Sequence, residues 1–242
     1  MSKPANAYRA RFGYRKTVFP VIHARRGDEV RKNVLIAKNA GADGVFLIAH
    51  GDMYDRELLD LAEDIRVNLV VWTGVNCLSL IPFHAIRQSA GRVNGLWVDN
   101  AGVTPDEESG GQREWQALQA IPHPPIYFGG VAFKYQQPVM KRDLPALTKK
   151  ARECMDVITT SGPGTGQAAD IERVRIMHEA AEGHPIALAS GITPENVADY
   201  LPYVSAFLVA TGISRDFHNL DPEKTRRLIA VVHDHPWVEK GW

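Results

Sequence analysis

The sequence has little of several features that define whole classes of protein. Only two of its 242 residues are cysteines, Cys77 and Cys154, and both lie in apolar stretches. Buried free thiols are expected there, which argues against a secreted fold held together by disulfides. No apolar run is long enough for a signal peptide or a membrane span. We therefore expect a protein of a reducing cytoplasm with no membrane partner.

An excess of charge of either sign is also lacking. Lysine and arginine together number 28, and so do aspartate and glutamate. No overall field attracts a polyanion, and no basic segment with interleaved aromatic residues appears, so nucleic acid is not expected as a partner. Any anion site must therefore be local.

What the sequence does contain is a repeated alternation of short apolar runs with segments of helical period. This rhythm is typical of parallel strands joined by crossover helices. The predicted strands are Val18–His23, Gly44–Ala49, Leu69–Thr73, Gly95–Asp99, Pro125–Phe128, Asp156–Thr160, Pro185–Ala189 and Ala206–Ala210.

Eight strands predict an α/β fold, a (β/α)8 TIM barrel with a single domain. The predicted boundaries are an N-terminal arm at 1–17, the barrel at 18–234 and a C-terminal tail at 235–242. An open doubly wound sheet would show the same alternation. A long polar segment, Gly102–Arg113, is expected over the mouth of the barrel, either as a mobile lid or as an ordinary solvated loop.

Predicted helix faces and helix starts support this reading. Spacings of three and four residues separate the apolar positions of two segments. Thr193 and Asp221 each precede a proline and are expected to cap a helix. The predicted faces are Leu58, Leu61, Ala62 and Ile65 in one segment, and Thr225, Leu228, Ile229 and Val232 in the other.

The last three predicted strand-to-helix loops are all rich in glycine and hydroxyl residues. In a barrel these loops share one end, where glycine lets backbone N–H groups approach an anion. They predict a phosphate site, although tight turns alone also require glycine. The candidate phosphate-binding residues are Ser161, Gly164, Thr165, Gly166, Ser190, Gly191, Thr211, Gly212 and Ser214.

Polar residues at the ends of the other strands are candidates for catalysis. Asp99 ends an apolar run and should face the mouth, where a carboxylate needs a partner or a task. Lys134 is expected either to pair with Asp99 or to act on a substrate. The full set of catalytic candidates is His23, Asp52, Asn76, Asp99 and Lys134.

Each candidate also has a structural alternative. His23 could be a core histidine, and His50 with Asp52 could simply end a strand. The spacings fit no zinc site, so no metal ligand is assigned; a loosely held Mg²⁺ is the only cofactor considered. The remaining histidines are expected at the surface: His178, His184, His218, His233 and His235.

The last third of the chain resembles the BtpA family of barrel proteins. The resemblance is carried by the runs 156–166, 190–197, 200–202 and 209–212, with shorter matches around Val21, Gly41, Gly51, Gly74 and Lys134. The family is named for a role in photosystem I accumulation in cyanobacteria. The resemblance implies a barrel with a nucleoside- or phosphoribosyl-related activity.

Three departures from the family pattern lie on the substrate side of the barrel. An Asn-Phe-Gly-Asp run becomes Ala49-His50-Gly51-Asp52, and the histidine after the lysine of the fifth strand becomes Tyr135. Residues 24–28 stand where the family has a proline- and glycine-rich loop after the first strand. These changes bear on the substrate more than on the fold.

Two hypotheses from different classes follow. The first is an enzyme acting on a phosphorylated sugar or ribosyl-phosphate compound, as an isomerase, a lyase or a glycosyl-bond enzyme. The second is a non-catalytic barrel that binds a phosphorylated ligand or a protein and serves assembly. Self-association is expected for a barrel of this size, and the tail tryptophans, Trp237 and Trp242, either contribute to it or pack on the chain's own helices.

Overall fold

A computed structural model describes residues 6–25, 28–104 and 110–235. The predicted tail therefore lies outside the described residues, apart from His235. In chain order the elements are α1 (Ala7–Phe12), β1 (Thr17–Ala24), α2 (Glu29–Asn39), β2 (Val45–Ala49), α3 (Asp55–Asn68), β3 (Thr73–Asn76), α4 (Pro82–Ser89), β4 (Gly95–Val98), α5 (Gln112–Gln119), β5 (Ile126–Gly130), α6 (Leu144–Ala151), β6 (Val157–Ser161), α7 (Ile171–Ala181), β7 (Ile186–Ala189), α8 (Val197–Tyr200), β8 (Ala206–Val209) and α9 (Pro222–His233).

The eight strands form a closed barrel in chain order. Each strand runs parallel to its neighbours, and β1 closes the circle by pairing with β8, with Thr17 opposite Ala206. This closure confirms the (β/α)8 prediction and excludes an open sheet. Because the strands are parallel, all their carboxyl ends meet at one end of the barrel, the mouth.

The third strand is the one that the sequence placed wrongly. It was predicted at Leu69–Thr73 but occupies Thr73–Asn76. Val70 has a left-handed backbone, with φ of 51°, and its side chain is 80% exposed, so the apolar run before the strand does not join the sheet. Gly74 pairs with Phe46 instead, and the Phe46 ring occupies the space that a side chain at Gly74 would need.

The helices pack on the outside of the barrel by the predicted faces. Leu58, Ala62 and Ile65 are buried in α3, whereas Leu61 is only partly buried. All four predicted positions of α9, Thr225, Leu228, Ile229 and Val232, are buried. None of the helices in the described ranges is long and apolar enough to cross a membrane.

The two predicted caps behave differently. The Asp221 carboxylate accepts the backbone N–H groups of Glu223 and Lys224, each at 2.9 Å, and begins α9 as expected. The Thr193 hydroxyl accepts the N–H of Glu195 at 3.2 Å, but α8 begins only at Val197. Thr193 therefore holds a turn before the helix.

Aromatic rings fill the lower half of the barrel interior. Phe19 and Trp72 lie with their ring centroids 4.8 Å apart, and Tyr8 and Phe12 of α1 join the same cluster. The Tyr8 hydroxyl lies 2.8 Å from Thr17 Oγ1 and donates to the Ser205 carbonyl, two groups at the amino ends of β1 and β8. Helix α1 thus closes the end opposite the mouth.

Both cysteines are buried free thiols, as expected from the sequence. Burial raises the pKa of Cys77 and of Cys154 to about 12. Neither thiol is ionised near neutral pH, so neither is a candidate nucleophile.

The Trp72 indole covers Gly95, the first residue of β4. A Cβ atom at Gly95 would lie 2.3 Å from the Trp72 ring, so we expect Gly95→Ala to destabilise the fold by about 1–3 kcal/mol through overpacking. Replacing Trp72 with phenylalanine removes the ring atoms that meet this Cβ. In a double-mutant cycle followed by urea unfolding, Gly95→Ala should therefore cost less in the Trp72→Phe background. Equal costs in both backgrounds would contradict this packing.

Candidate active site

The alternation of side chains along the strands brings several candidates into the mouth. On β4 Trp97 packs inside the barrel, so Asp99, two residues later, also faces inward. Asn76 at the end of β3 is buried, and His23 near the end of β1 is half-buried. The predicted residues His23, Asn76 and Asp99 thus end three strands at the mouth.

Asp99 is held by two amide side chains. Asn76 Nδ2 donates to Asp99 Oδ1 at 2.8 Å, and Gln136 Nε2 donates to the Asp99 backbone carbonyl at 2.6 Å. Burial raises the pKa of Asp99, while the Asn76 hydrogen bond and the charge of Lys134 oppose the rise. The environment therefore favours the protonated carboxyl more than water does, which suits a residue that gives and takes a proton.

Lys134 extends toward the sixth and seventh loops. Its Nζ donates to Ser190 Oγ at 3.3 Å and to Thr165 Oγ1 at 3.4 Å, and its backbone N–H donates to Ser161 Oγ at 2.8 Å. Within the described ranges no ion pair joins Lys134 to Asp99, which leaves the ammonium group among the loop hydroxyls.

The hydroxyl groups of the three glycine-rich loops are not equivalent. An ammonium group only donates, so Ser190 Oγ accepts from it and keeps its own hydrogen for another acceptor. Ser161 and Ser214 instead donate to the carbonyls of Gly162 and Ala210, at 2.9 Å each. These two hydroxyl hydrogens are engaged within their own loops.

The three glycine-rich loops pack directly on one another. A Cβ at Gly191 would lie 2.3 Å from the backbone of Gln167 in the sixth loop, and one at Gly212 would lie 1.8 Å from the Ile192 carbonyl oxygen in the seventh. Gly166 has a left-handed backbone, with φ of 74°, and lies beside Thr211 of the eighth loop. Close loop packing is thus one reason for these glycines.

The same glycines leave amide donors without acceptors. In the described parts of the chain, the backbone N–H groups of Gly166, Gly191 and Gly212 donate to no carbonyl and no side chain. An unpaired backbone donor costs free energy unless water or a ligand satisfies it. Gly166 and Gly191 follow Thr165 and Ser190, the residues that Lys134 Nζ contacts, and Thr211 beside Gly166 precedes Gly212, so the three amides lie in the same corner of the mouth as Lys134.

Ser190 has an unusual backbone conformation. Its φ is 76°, in the left-handed region, and the next residue, Gly191, has φ of 68°. A serine in this conformation is strained, and such strain persists where the surroundings impose it. The conformation places Ser190 Oγ beside the Lys134 ammonium group.

Next to this corner, at the ends of β1 and β2 and in the eighth loop, lies an aromatic wall, which we define as His23, His50, Phe217 and His218. The His23 and Phe217 rings stack at 4.0 Å between centroids and 17°, and the His50 ring lies 4.6 Å from that of Phe217. His218 Nδ1 lies 3.3 Å from the His23 carbonyl oxygen. His218, which the sequence places at the surface, is half-buried at the mouth because the eighth loop folds back over β1.

The hydrogen bonding of His23 fixes its tautomer. Nδ1 lies 3.1 Å from the Phe217 carbonyl oxygen, which only accepts, so Nδ1 carries a hydrogen. Burial lowers the pKa of His23, a shift that the bond to Phe217 partly opposes. The ring is therefore neutral near neutral pH, and its Nε2 is left as a proton acceptor.

Other candidates take less part in this arrangement. Asp52 lies on an exposed turn after β2, and in the described residues it forms no hydrogen bond or ion pair with Asp99, His23 or Lys134. No group of three histidine, cysteine, aspartate or glutamate side chains in the same ranges is arranged to hold a metal ion. The role of Mg²⁺ stays a prediction.

The segment expected over the mouth is only partly described, because residues 105–109 lie outside the described ranges. Its two ends are in contact, because a Cβ at Gly110 would lie 2.3 Å from the Gly102 carbonyl oxygen. Within the first end, Asn100 Oδ1 accepts the N–H of Gly102. The lid stays a prediction.

The second half of the chain matches a known protein family. The model of the BtpA family matches residues 113–234, just over half of the chain. The chain belongs to the BtpA family. This match covers β5 to β8 and includes Lys134 and all three glycine-rich loops.

The BtpA-family chain also resembles enzymes of known name. It is 30% identical over 105 residues to N-(5'-phosphoribosyl)anthranilate isomerase of Haloarcula marismortui; the match covers 40% of this chain and 49% of that protein, so the chain spans about half the length of this relative.

Two solved structures share the fold. Monomers of the dimeric phosphoribosylanthranilate isomerase from Thermotoga maritima match with a TM-score of 0.64 and 16% identity, over 91% of this chain and all of theirs. The (S)-3-O-geranylgeranylglyceryl phosphate synthase from Thermoplasma acidophilum, solved with sn-glycerol-1-phosphate, matches with a TM-score of 0.65 and 13% identity, over 97% of this chain and all of its own. At these identities the likeness shows the fold alone.

The raised pKa of Asp99 predicts an effect on stability. Because the folded state binds the Asp99 proton more tightly than the unfolded state, stability falls as pH rises from about 4, the ordinary carboxyl pKa, toward the folded-state value. Asp99→Asn removes this loss and can still accept from Asn76. The variant should gain stability relative to wild type as pH rises through that window, measured by urea unfolding at a series of pH values. The exposed Asp234→Asn is the control; a gain independent of pH would show that charge is not the cause.

Proposed function

We propose that this BtpA-family barrel is an enzyme that acts on a phosphorylated small molecule, a sugar phosphate or a ribosyl-phosphate compound. The observation that carries the proposal is the position of Lys134, whose Nζ lies 3.3 Å from Ser190 Oγ and 3.4 Å from Thr165 Oγ1. A fixed positive charge, hydroxyl groups and amides without acceptors at one corner suit a phosphate group.

The location of this corner supports the same conclusion. Phosphate groups in TIM barrels commonly bind between the last strand-to-helix loops. The curated relative named N-(5'-phosphoribosyl)anthranilate isomerase supports the ribosyl-phosphate class in particular. We place the protein in a reducing cytoplasm, in keeping with its free thiols, and expect it to self-associate.

Asp99 and His23 are the residues that we assign to proton transfer. Asp99 has its protonated form favoured by burial, and His23 is neutral with Nε2 available. One group is therefore suited to act as an acid and the other as a base at a bound sugar. Asn76 orients the Asp99 carboxyl. This pair serves an isomerase, a lyase or a glycosyl-bond enzyme equally.

The phosphate site is tested by removing the charge of Lys134. Lys134→Met keeps the length of the side chain but not the ammonium group, and should weaken binding of inorganic phosphate and ribose 5-phosphate by roughly tenfold or more, measured by calorimetry. Lys149→Met, an exposed lysine in the last turn of α6, is the matched control. Unchanged affinity in Lys134→Met would remove the central support of the proposal.

Catalysis is tested separately from binding. N-(5'-phosphoribosyl)anthranilate, ribose 5-phosphate and nucleoside 5'-monophosphates would be incubated with the protein and followed by mass spectrometry. We expect one of them to be converted, and Asp99→Asn to slow the conversion by about 10²–10⁴-fold while ligand binding persists. Asp234→Asn should leave the rate unchanged. Binding without conversion of any compound would favour the non-catalytic ligand-binding barrel.

A further inference from the structure

The eighth loop presents an aromatic ring at the mouth and holds it rigidly. Phe217 is 43% exposed, although it lies in a short loop with many hydrogen bonds. Asp216 Oδ1 accepts the N–H groups of His218 and Asn219, at 2.9 and 3.0 Å. The N–H of Arg215 donates to the Asn219 carbonyl at 2.8 Å. The ring is thus exposed on a fixed turn.

A buried side chain outside the loop fixes it further. Asn33 of α2 donates through Nδ2 to the His218 carbonyl at 2.7 Å and accepts the N–H of Leu220 at 2.9 Å. Asn33 is itself buried. Single exposed apolar residues are common on protein surfaces, so what distinguishes Phe217 is its fixed position at the mouth rather than its exposure alone.

The surroundings of the Phe217 ring indicate which kind of group it contacts in a complex. One face of Phe217 stacks on His23, and the exposed His50 flanks it, so flat ring surfaces line this side of the mouth. The loop that carries Phe217 also carries Thr211 and Gly212 of the proposed phosphate corner. Thr211 in turn lies beside Gly166 of the sixth loop, so the eighth loop borders both the phosphate corner and the aromatic wall.

We propose that the aromatic wall, His23, His50, Phe217 and His218, binds a planar ring carried by the phosphorylated ligand. The substrate class is then a ribosyl phosphate with an aromatic or heteroaromatic substituent rather than a bare sugar phosphate. This inference rests on the proposed function, because the ligand's phosphate sets where its ring lies. Flat rings favour stacking on aromatic side chains, whereas a bare sugar phosphate leaves the exposed face of Phe217 uncovered.

The test compares ligands that share one phosphate and differ in the ring. Dissociation constants of ribose 5-phosphate, adenosine 5'-monophosphate and N-(5'-phosphoribosyl)anthranilate would be measured by calorimetry on the full chain. We expect the tighter of the two ring-bearing compounds to bind about 5–100-fold more tightly than ribose 5-phosphate. Phe217→Ala should abolish this advantage and change the affinity for ribose 5-phosphate less than twofold.

Two further variants distinguish stacking on an aromatic face from contact with any apolar side chain. Phe217→Trp should keep the advantage, and Phe217→Leu, which is apolar but has no π face, should lose most of it. Tyr54→Ala removes another exposed aromatic residue, 74% exposed at the start of α3, and should change nothing. Thermal unfolding of each variant would confirm that it folds.

The outcomes distinguish this inference from the proposed function. If ribose 5-phosphate binds in a Lys134-dependent way but neither ring adds affinity, or the advantage survives in Phe217→Ala, the ring subsite is wrong and the phosphate site stands. If ribose 5-phosphate does not bind to the wild-type protein at all, the proposed function fails and the ring subsite fails with it.

Discussion

The packing of aromatic rings in the lower barrel is the constraint on which the rest of the structure depends. Phe19, Phe46, Trp72 and Phe128 fill the interior, and Tyr8 and Phe12 close the end below them. These rings need glycine at Gly74 and Gly95, because any side chain there would overlap them. With the lower half filled and sealed, polar side chains that point inward collect at the mouth.

At the mouth, one set of glycines serves two purposes. Gly191 and Gly212 let the last three loops approach within backbone contact, and the same residues leave amide hydrogens without acceptors. From the sequence, tight turns and anion binding are alternative explanations of the loop glycines. In the folded chain the two explanations are compatible. Loop packing places the amides near each other, and Lys134 adds the charge that amides lack.

Much of the fold follows from the sequence, and less of the site does. Strand number, order and most helix faces are readable because burial imposes a period of about two or 3.6 on the chain. The third strand was misplaced because the residues before it are apolar without belonging to the sheet: Trp72 packs in the aromatic cluster, whereas Val70 is exposed. Lys134 could be named as a candidate, but its contacts with Thr165 and Ser190 depend on how separate loops meet. Phe217 and His218 were missed as site residues because only the fold-back of the eighth loop brings them to His23. The local signal in the sequence that could have indicated them was an aromatic residue flanked by polar turn residues.

The two hydrogen bonds of Asn33 to the eighth loop link the first and last units of the barrel. Residues 214–220 are therefore not an independent module, although they look like an ordinary surface turn. Suppose that residues 214–220 were replaced by the loop of another barrel, one whose backbone does not meet Asn33 of α2. The Asn33 side-chain amide would then lose both its partners, the backbone carbonyl and the backbone N–H that the native loop supplies. A library restricted to the loop would therefore leave out the residue on α2 that two of the loop's backbone groups depend on.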